Sequence, residues 1–559
     1  MIDPTHDITQ IGARLGLPAT ALRPYGRDKA KIEVGALGPL QPSGALILVS
    51  GITPTAAGEG KTTTAIGLAD GLTKLGKRAA VVLREPSLGP VFGLKGGGTG
   101  FGWSRMIPTA DINLHFNGDF HAISSAHNLL SALIDNHLHH GLTPTLDPEK
   151  ITWKRTMDMN DRALRQLELG RGKGNGPIHA GGFDITAASE IMAILALATD
   201  AEDLRARLGR IVIGRGTDGA AVTASQIGAV GAMMALLRDA MLPNLVATVC
   251  GTPTIVHCGP FANIAHGTAS VIAMRTGLHL AEVAVVEAGF GFDLGGEKFF
   301  DLVARGGDLS PAAVVIIASL RALRLHGGVK PDQVSQPDLA AVQAGLPNLM
   351  RHLENARHFG RPVVIALNAF TGDSDEETAA VRAAVEAADV GFAVIDAPNR
   401  GAEGGVALAQ VVLDTLARHG KAPARTLSTG AEPLRAKIER IATAIYRATS
   451  VVLTDEAAAQ LAELEAAGHG HLPVCMAKTP ASFTDELREF YGRVGLPASL
   501  TARGLRGDAA AAAQAIAADT WSRAPYVRAL TQPIDAKRLE AAILAVHRRG
   551  TGQHEETKR

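Results

Sequence analysis

Aromatic residues make up only 4% of the 559-residue chain. So few rings argue against a stacking platform for single-stranded nucleic acid. Neither sign of charge is in excess: Lys+Arg and Asp+Glu are both 55. No global field therefore favours nucleic acid or an anionic membrane, and neither partner is expected. Cysteine is scarce. Cys250, Cys258 and Cys475 are odd in number, widely spaced and in no CxxC pair. That excludes a disulfide framework and gives no zinc signature, so each reads as a small buried thiol. No apolar run reaches the ~18 residues of a membrane span. IMAILALA, from Ile191, reads as buried helix instead. The opening MIDPTHDITQ lacks the basic and apolar regions of a secretory signal, so the cytoplasm is the expected compartment. No repeat with a period of about 20–50 residues is visible.

What is present is an ordinary globular composition, 46% hydrophobic and 20% charged. The length suggests ~3 domains. Short apolar runs alternate with helical patterns: RIVIG from Arg210, NLVATV from Asn244, EVAVVEAG from Glu282, AVVIIAS from Ala313 and PVVIALN from Pro362. The alternation predicts an α/β fold with a mostly parallel sheet, helices on both faces and smaller α/β domains. A nucleotide-binding domain is expected over residues 1–125 with 275–421, and a second α/β domain over 126–274. A helix-rich C-terminal domain is expected over 422–559. APARTLSTGAE, 422–432, is the candidate linker. KIERIATAIYRAT, DEAAAQLAELEAAG and an Ala-rich stretch near 510 are the expected C-terminal helices, followed by a polar tail.

TPTAAGEGKTTT, from Thr53, carries the strongest chemistry. It follows ALILVSGI, which reads as a buried parallel strand. It precedes Ile66, Leu68, Ala69, Leu72 and Leu75 at helical spacing, with Gly76 as the stop. Gly58 and Gly60 let backbone amides approach an anion, and the helix points its positive end at it. Lys61 adds a full charge, and Thr62 a hydroxyl suited to Mg2+. This is the P-loop NTPase pattern GxxxxGK[ST], except that Thr55 stands where the first Gly belongs. The nucleotide-binding set is Thr55, Ala56, Ala57, Gly58, Glu59, Gly60, Lys61 and Thr62. The alternative is a tight βα turn with a surface lysine.

Other stretches gather around that loop. LREPSLGPVFGLKGGGTGFGW, from Leu83, brings Arg84, Glu85 and Lys95 to a Gly-rich segment suited to a small anion or a transferring phosphoryl group. INLHFNGDFHAI, from Ile112, contains His115, Asp119 and His121. Read as a strand, it puts them on one face. A metal site, a base with its orienter, or structural hydrogen bonding would each fit. TPTIVHCGPFANIAHG holds His257 and His266, and EAGFGFDLGGEKFFD begins at Glu287. Both read as loops on the ligand-binding side of a sheet. Phe370, in LNAFTGDSDEE, would stack on a flat ring or pack in the core.

Taken together, TPTAAGEGKTTT, LREPSLGPVFGLKGG, IPTADINLHFNGDFHAI, DMNDRALR, GGFDITAASEIMAI, GPFANIAHG, AGFGFDLGGEKFFD, ASLRALRLHGGV and LPVCMAKT resemble the formate–tetrahydrofolate ligase family, from about Lys31 to Lys478. The resemblance implies that formate attacks the γ-phosphate of MgATP and that tetrahydrofolate takes the formyl group from formyl phosphate. It implies ATP binding by Thr55 to Thr62, with Lys61 on the phosphates. It further implies Arg84 on the formate or formyl phosphate anion, and Phe370 on the pterin. Lys95, His115 and Asp119 match family positions. A homotetramer activated by K+ or NH4+ is also implied. The chain departs from the pattern in several places. Pro398, in APNRGAEGG, stands where the family has a Trp facing the Phe. Phe101 and Trp103 crowd KGGGTGFGW, Cys250 replaces an acidic residue, and the C-terminal signature is missing after about Ser482. A paralogue activating a small carboxylate for another acceptor, or a non-catalytic P-loop binding protein, are the alternatives.

Overall fold

A computed structural model describes residues 6–55, 58–93, 96–419, 423–478 and 483. Met1–Lys437 with Ala458–Lys478 form one compact unit, and Ile438–Ala457 belong to a second. The Ala-rich stretch near 510 and the polar tail lie outside the described residues.

One 12-stranded sheet organises the first unit. Its strands are β1 (Leu22–Pro24), β2 (Ala30–Ile32), β3 (Ala45–Gly51), β4 (Ala79–Leu83), β5 (Gly100–Phe101), β6 (Ser104–Ile107), β7 (Asn244–Thr248), β8 (Pro253–Val256), β9 (Val283–Gly291), β10 (Pro311–Ala318), β11 (Val363–Asn368) and β12 (Gly391–Ile395). The spatial order is β1-β2-β7-β8-β4-β9-β3-β10-β11-β12, with β6 on β7 and β5 on β6. From β8 to β12 every pairing is parallel. These strands are buried on both faces, which explains their unbroken apolar runs. Ile47, Val49, Val81, Leu83 and Val315 share a core with helices Lys61–Lys74 and Ala402–His419. The other face meets helix Val271–Leu280, where a Cβ on Gly277 would lie 3.1 Å from Val82. The sheet is thus covered on both sides, as the α/β reading expects.

Helix Lys61–Lys74 is buried on nearly every side, with every residue from Thr63 to Leu72 inside. Two glycine pairs make this room. A Cβ on Gly405 would lie 1.9 Å from the Gly67 carbonyl, and one on Gly71 would lie 2.5 Å from the Gly405 backbone. The two helix backbones are therefore in direct contact.

A second buried cluster includes Leu130, Ile134, Ile191, Leu195, Leu208 and Met233. A three-stranded sheet of Leu146–Ile151, Val212–Gly216 and Ala221–Thr223 accompanies it. Ile191 to Leu197 lie in a helix, as expected. Three expectations need correction. The segment holding His115 and Asp119 is not a strand: Gly118, at φ 88°, starts helix Asp119–His139. Its period only becomes visible when Phe120 and Ile123 are joined to Ala126 and Leu130. Residues 423–432 are no free tether. Ala424, Arg425 and Leu427 donate their amides to Ser310, Phe359 and Asp301. Of the three thiols, only Cys258 is buried, whereas Cys250 and Cys475 are exposed, on a hairpin turn and in an irregular segment. Helices Leu434–Ala444 and Asp455–Ala466 form as expected.

Alanine is about 1 kcal/mol better than glycine in a helix interior. At Gly405 the backbone clash outweighs that preference. Gly405→Ala should therefore lower the thermal midpoint by roughly 2–8 °C. A midpoint equal to or above the wild type would refute the direct helix contact.

Candidate functional site

The carboxyl ends of β4, β9, β3, β10 and β11 lie side by side, and the loops after them carry the polar groups. After β3 the chain turns through Gly58 (φ 74°) and Gly60 (φ 77°) into helix Lys61–Lys74. Only glycine fits at 60, because a Cβ there would lie 2.4 Å from the Asn368 amide nitrogen. Glu59 closes the turn: its carboxylate accepts the Thr55 amide at 2.5 Å and the Lys61 ammonium at 3.0 Å. Asn368, at the end of β11, donates to the Glu59 carbonyl at 3.3 Å. Ala56 and Ala57 lie outside the described residues, as does Lys95.

Thr62 faces the neighbouring strand and donates its hydroxyl to Glu287 on β9 at 2.7 Å. The other Glu287 oxygen accepts from Arg84, after β4, at 3.4 Å. Arg84 also donates to the Pro260 carbonyl at 3.3 Å. Thr62, Glu287 and Arg84 thus form a hydrogen-bonded chain across three adjacent strands, with Lys61, paired to Glu59, next to Thr62 in the helix's first turn. Sequence reading placed Glu287 only at the head of a loop. Its signal is an acid inside the otherwise apolar run VAVVEAG, from Val283, near a strand's carboxyl end. Buried beside the group are Arg84 Nε and His266 Nε2, neither with a hydrogen-bond partner among the described residues. Burial, then the charges of Arg84 and Lys298, push His266 down to about 3, so it is neutral. Cys258 (φ 58°) and Phe290 (φ 61°) adopt the left-handed backbone just past β8 and at the end of β9. Such strain in non-glycine residues concentrates at functional sites.

Asp119 lies elsewhere, fully engaged. It takes the buried Lys31 ammonium at 2.5 Å and the Asn244 amide at 2.7 Å. Burial, and next the Asp119 carboxylate, hold nearby Glu85 well above the usual carboxylate range. His115 and His121 do come together, ring nitrogens 2.9 Å apart, on a cavity of about 360 Å³ lined also by Phe120, Ser124, Asn128 and Asp158. Among the described residues no group of three or more His, Cys, Asp or Glu could hold a metal. No helix there is long and apolar enough to cross a membrane. Phe370 is half-buried beyond β11 with the Arg321 guanidinium 4.4 Å over its ring. Pro398 follows β12, and its carbonyl accepts the Trp103 amide at 2.9 Å.

A central parallel strand running through a glycine turn into a helix headed by Lys-Thr, with Arg84 and Glu287 opposite, defines an α/β protein with a cluster of charged side chains at the carboxyl ends of its parallel strands. Comparison with known proteins is specific. The sequence profile of formate–tetrahydrofolate ligase matches residues 3–495, and the chain belongs to that family. It is 53% identical to the formate–tetrahydrofolate ligase of Maricaulis maris over 480 residues, 85% of this chain and 86% of that one. It is 52% identical to that of Paracoccus denitrificans over 480 residues, 85% of this chain and 86% of the relative. To the Symbiobacterium thermophilum protein of the same name it is 48% identical over 510 residues, 90% and 91% of the two chains.

His257, behind the site, is fully buried and bonds Ser270 and the Ala240 carbonyl, each at 2.7 Å. Burial holds it down at about 4, against 6.5 for a free histidine. Its stability contribution is complete above pH ~6.5. It is lost as pH falls towards 4, because the unfolded chain then binds a proton that the folded chain refuses. The loss is on the order of 3 kcal/mol. His257→Gln, whose amide can keep both bonds, should make the fall of the urea midpoint between pH ~6.5 and ~4 shallower. A variant that tracks the wild type throughout would show that the proton is taken up elsewhere.

Proposed function

We infer that this chain joins formate to tetrahydrofolate at the expense of ATP, giving 10-formyltetrahydrofolate, ADP and phosphate. The observation that carries the reading, beside membership of the family, is the row Lys61, Thr62, Glu287, Arg84 at the mouth of the glycine turn. The residues from Thr55 to Thr62 cradle the ATP phosphates, with backbone amides and the helix end favouring negative charge. Lys61 exchanges Glu59 for a phosphate oxygen. Arg84, half-buried with a buried, unpartnered Nε, orients the formate carboxylate and then the acyl phosphate formed from it. Lys95 adds a second cation to this anion site.

A formate oxygen attacks the γ-phosphorus, and the bond from that phosphorus to the β-bridging oxygen breaks, releasing ADP. Positioning and charge stabilisation are the main demands of such a transfer. The secondary amine between pterin and benzoate then attacks the formyl carbon. Phosphate leaves and the amine loses its proton. Phe370 offers a ring face to the pterin, and Pro398 borders the same place. His115 handles protons at its cavity, and Asp119 positions Lys31 and Asn244. A Mg2+ ion suits the Thr62 hydroxyl and the Glu287 carboxylate, 2.7 Å apart and both oxygen donors. Bound there it would offset phosphate charge. Activation by K+ or NH4+, a homotetrameric assembly and a cytoplasmic location complete the proposal. These three rest on the family resemblance.

ADP release by the purified protein, with MgATP and formate, with and without tetrahydrofolate at constant K+, tests the reading. ADP should form steadily only with all three, and 10-formyltetrahydrofolate should accumulate in step. Indifference to folate would move the search to another acceptor. Lys61→Ala should cut turnover by at least roughly 100-fold, and a near-normal rate would remove the phosphate role. Arg84→Ala should raise the KM for formate by roughly tenfold or more while that for ATP moves little. An unaltered formate response would refute the anion role.

A further inference from the structure

The described residues expose few large rings. Phe92 (69%), Phe101 (73%) and Trp103 (54%) are the most exposed aromatics, and all lie within one twelve-residue stretch after β4. Trp103 differs from the other two because its backbone is clamped. Strands β5 and β6 form a hairpin whose two-residue turn is Gly102–Trp103. Gly102 takes φ 59°, and a Cβ there would lie 2.1 Å from the Pro398 carbonyl. The Trp103 amide donates to that same carbonyl at 2.9 Å, and the Gly102 carbonyl accepts from Arg105. A Cβ on Gly401 would lie 3.5 Å from Trp103 Cβ and 3.7 Å from its Cγ. The hairpin tip is thus seated on the connection after β12, which begins with the short helix Ala397–Arg400, with the root of the indole fixed and more than half of the residue in solvent.

That connection adjoins the loop bearing Phe370. Strands β11 and β12 run in register, Asn368 opposite Ile395, and the Ala369 amide donates to the Ile395 carbonyl at 3.0 Å. One face of the Phe370 ring lies under Arg321. Pro398 has no π face to offer. The Trp103 indole, held at its root and more than half exposed, is bonded through its backbone to the segment after β12, which in turn bonds the segment bearing Phe370. An exposed ring so placed can cover a flat ligand. Two surrounding glycines that must remain glycine serve to hold it there.

Resting on the folate reading above, we propose that Trp103 is a specificity-determining wall for the pterin ring of the acceptor, supplying at Pro398 the aromatic face that the proline lacks. It takes no part in the chemical step. Ring stacking of this kind corresponds to roughly a fivefold to tenfold change in affinity. The test compares the wild type with Trp103→Leu and Trp103→Phe, using tetrahydrofolate as the probe. Trp103→Leu should raise the folate KM, and the calorimetric folate Kd, at least roughly fivefold. The KM values for ATP and formate, and kcat at saturating folate, should stay within about twofold. Trp103→Phe should recover most of the loss, which a merely structural role would not require. The proposal is overturned if the wild type turns over formate and folate while Trp103→Leu leaves the folate KM and Kd unchanged. It is also overturned if Trp103→Leu alters the sedimentation mass without altering folate binding, which would make the indole a contact between copies. A wild type with no folate-dependent turnover defeats the parent reading, and this proposal with it.

Discussion

Helix Lys61–Lys74 can begin where it does only because residue 60 has no side chain. With Gly60 at φ 77° and the Asn368 side-chain nitrogen 2.4 Å from where a Cβ would stand, any other residue must both strain the turn and displace Asn368, which donates to the Glu59 carbonyl. The remainder of the site follows from that seat. The helix passes Gly405 so closely that a Cβ on Gly405 would strike the Gly67 carbonyl and one on Gly71 the Gly405 backbone, and this fixes its axis over the sheet. With axis and start both set, Lys61 and Thr62 occupy its first turn, where unpaired amides and the helix dipole favour an anion. Thr62 then reaches Glu287 on the next strand, and Glu287 reaches Arg84 on the strand after. No loop has to search for its place. The parallel register of β4, β9 and β3 sets the spacing of the row.

The charges divide into two kinds. Lys31 and Asp119 are 0% and 2% exposed, and Asn244 takes the second carboxylate oxygen. Such a pair, removed from water and saturated, holds neighbouring parts in register and has nothing left to offer a ligand. At the sheet edge the pairs are looser. Lys61 and Arg84 retain 17% and 19% exposure, and the Arg84–Glu287 contact is 3.4 Å long. Their desolvation is incomplete, so exchanging one anionic partner for another costs far less than breaking the buried pair. His266, kept neutral between Arg84 and Lys298, adds no positive charge, and the field there is set by the two cations.

Parts of this were legible in the chain and parts were not. The βαβ unit was, because apolar runs, a glycine turn and a helical period agree over some forty residues, and each feature has one cheap structural answer. Lys61 and Thr62 follow from heading a helix after a glycine turn, and Arg84 from standing directly after β4. Glu287 did not stand out, because an acid in a buried strand looks the same whether it pairs internally or faces a ligand. The stretch from Ile112 to Ile123 misled: alternation of His115, Asp119 and His121 imitates a strand, and Gly118 divides two helices within it. The Gly67–Gly405 contact is invisible in sequence, since it joins residues over three hundred positions apart. The segment 423–432 looked like a tether because its small polar residues carry no periodic signal. Its order comes from side chains and carbonyls on distant elements.

The two halves of the site also differ in how strongly physics constrains their residues. Around the glycine turn the limits are steric. Gly60, at φ 77°, cannot gain a side chain without displacing the Asn368 side chain, and a Cβ on Gly289 would lie 2.6 Å from the Ala262 Cβ. On the acceptor side the demand is for flat apolar area at a given place, and many residues on different elements can supply it. Pro398 lies in the short helix Ala397–Arg400 after β12, Trp103 on a hairpin and Phe370 on the loop after β11, and main-chain bonds tie their three segments together. A ring lost from one segment can therefore be offset by a ring on another without moving the sheet.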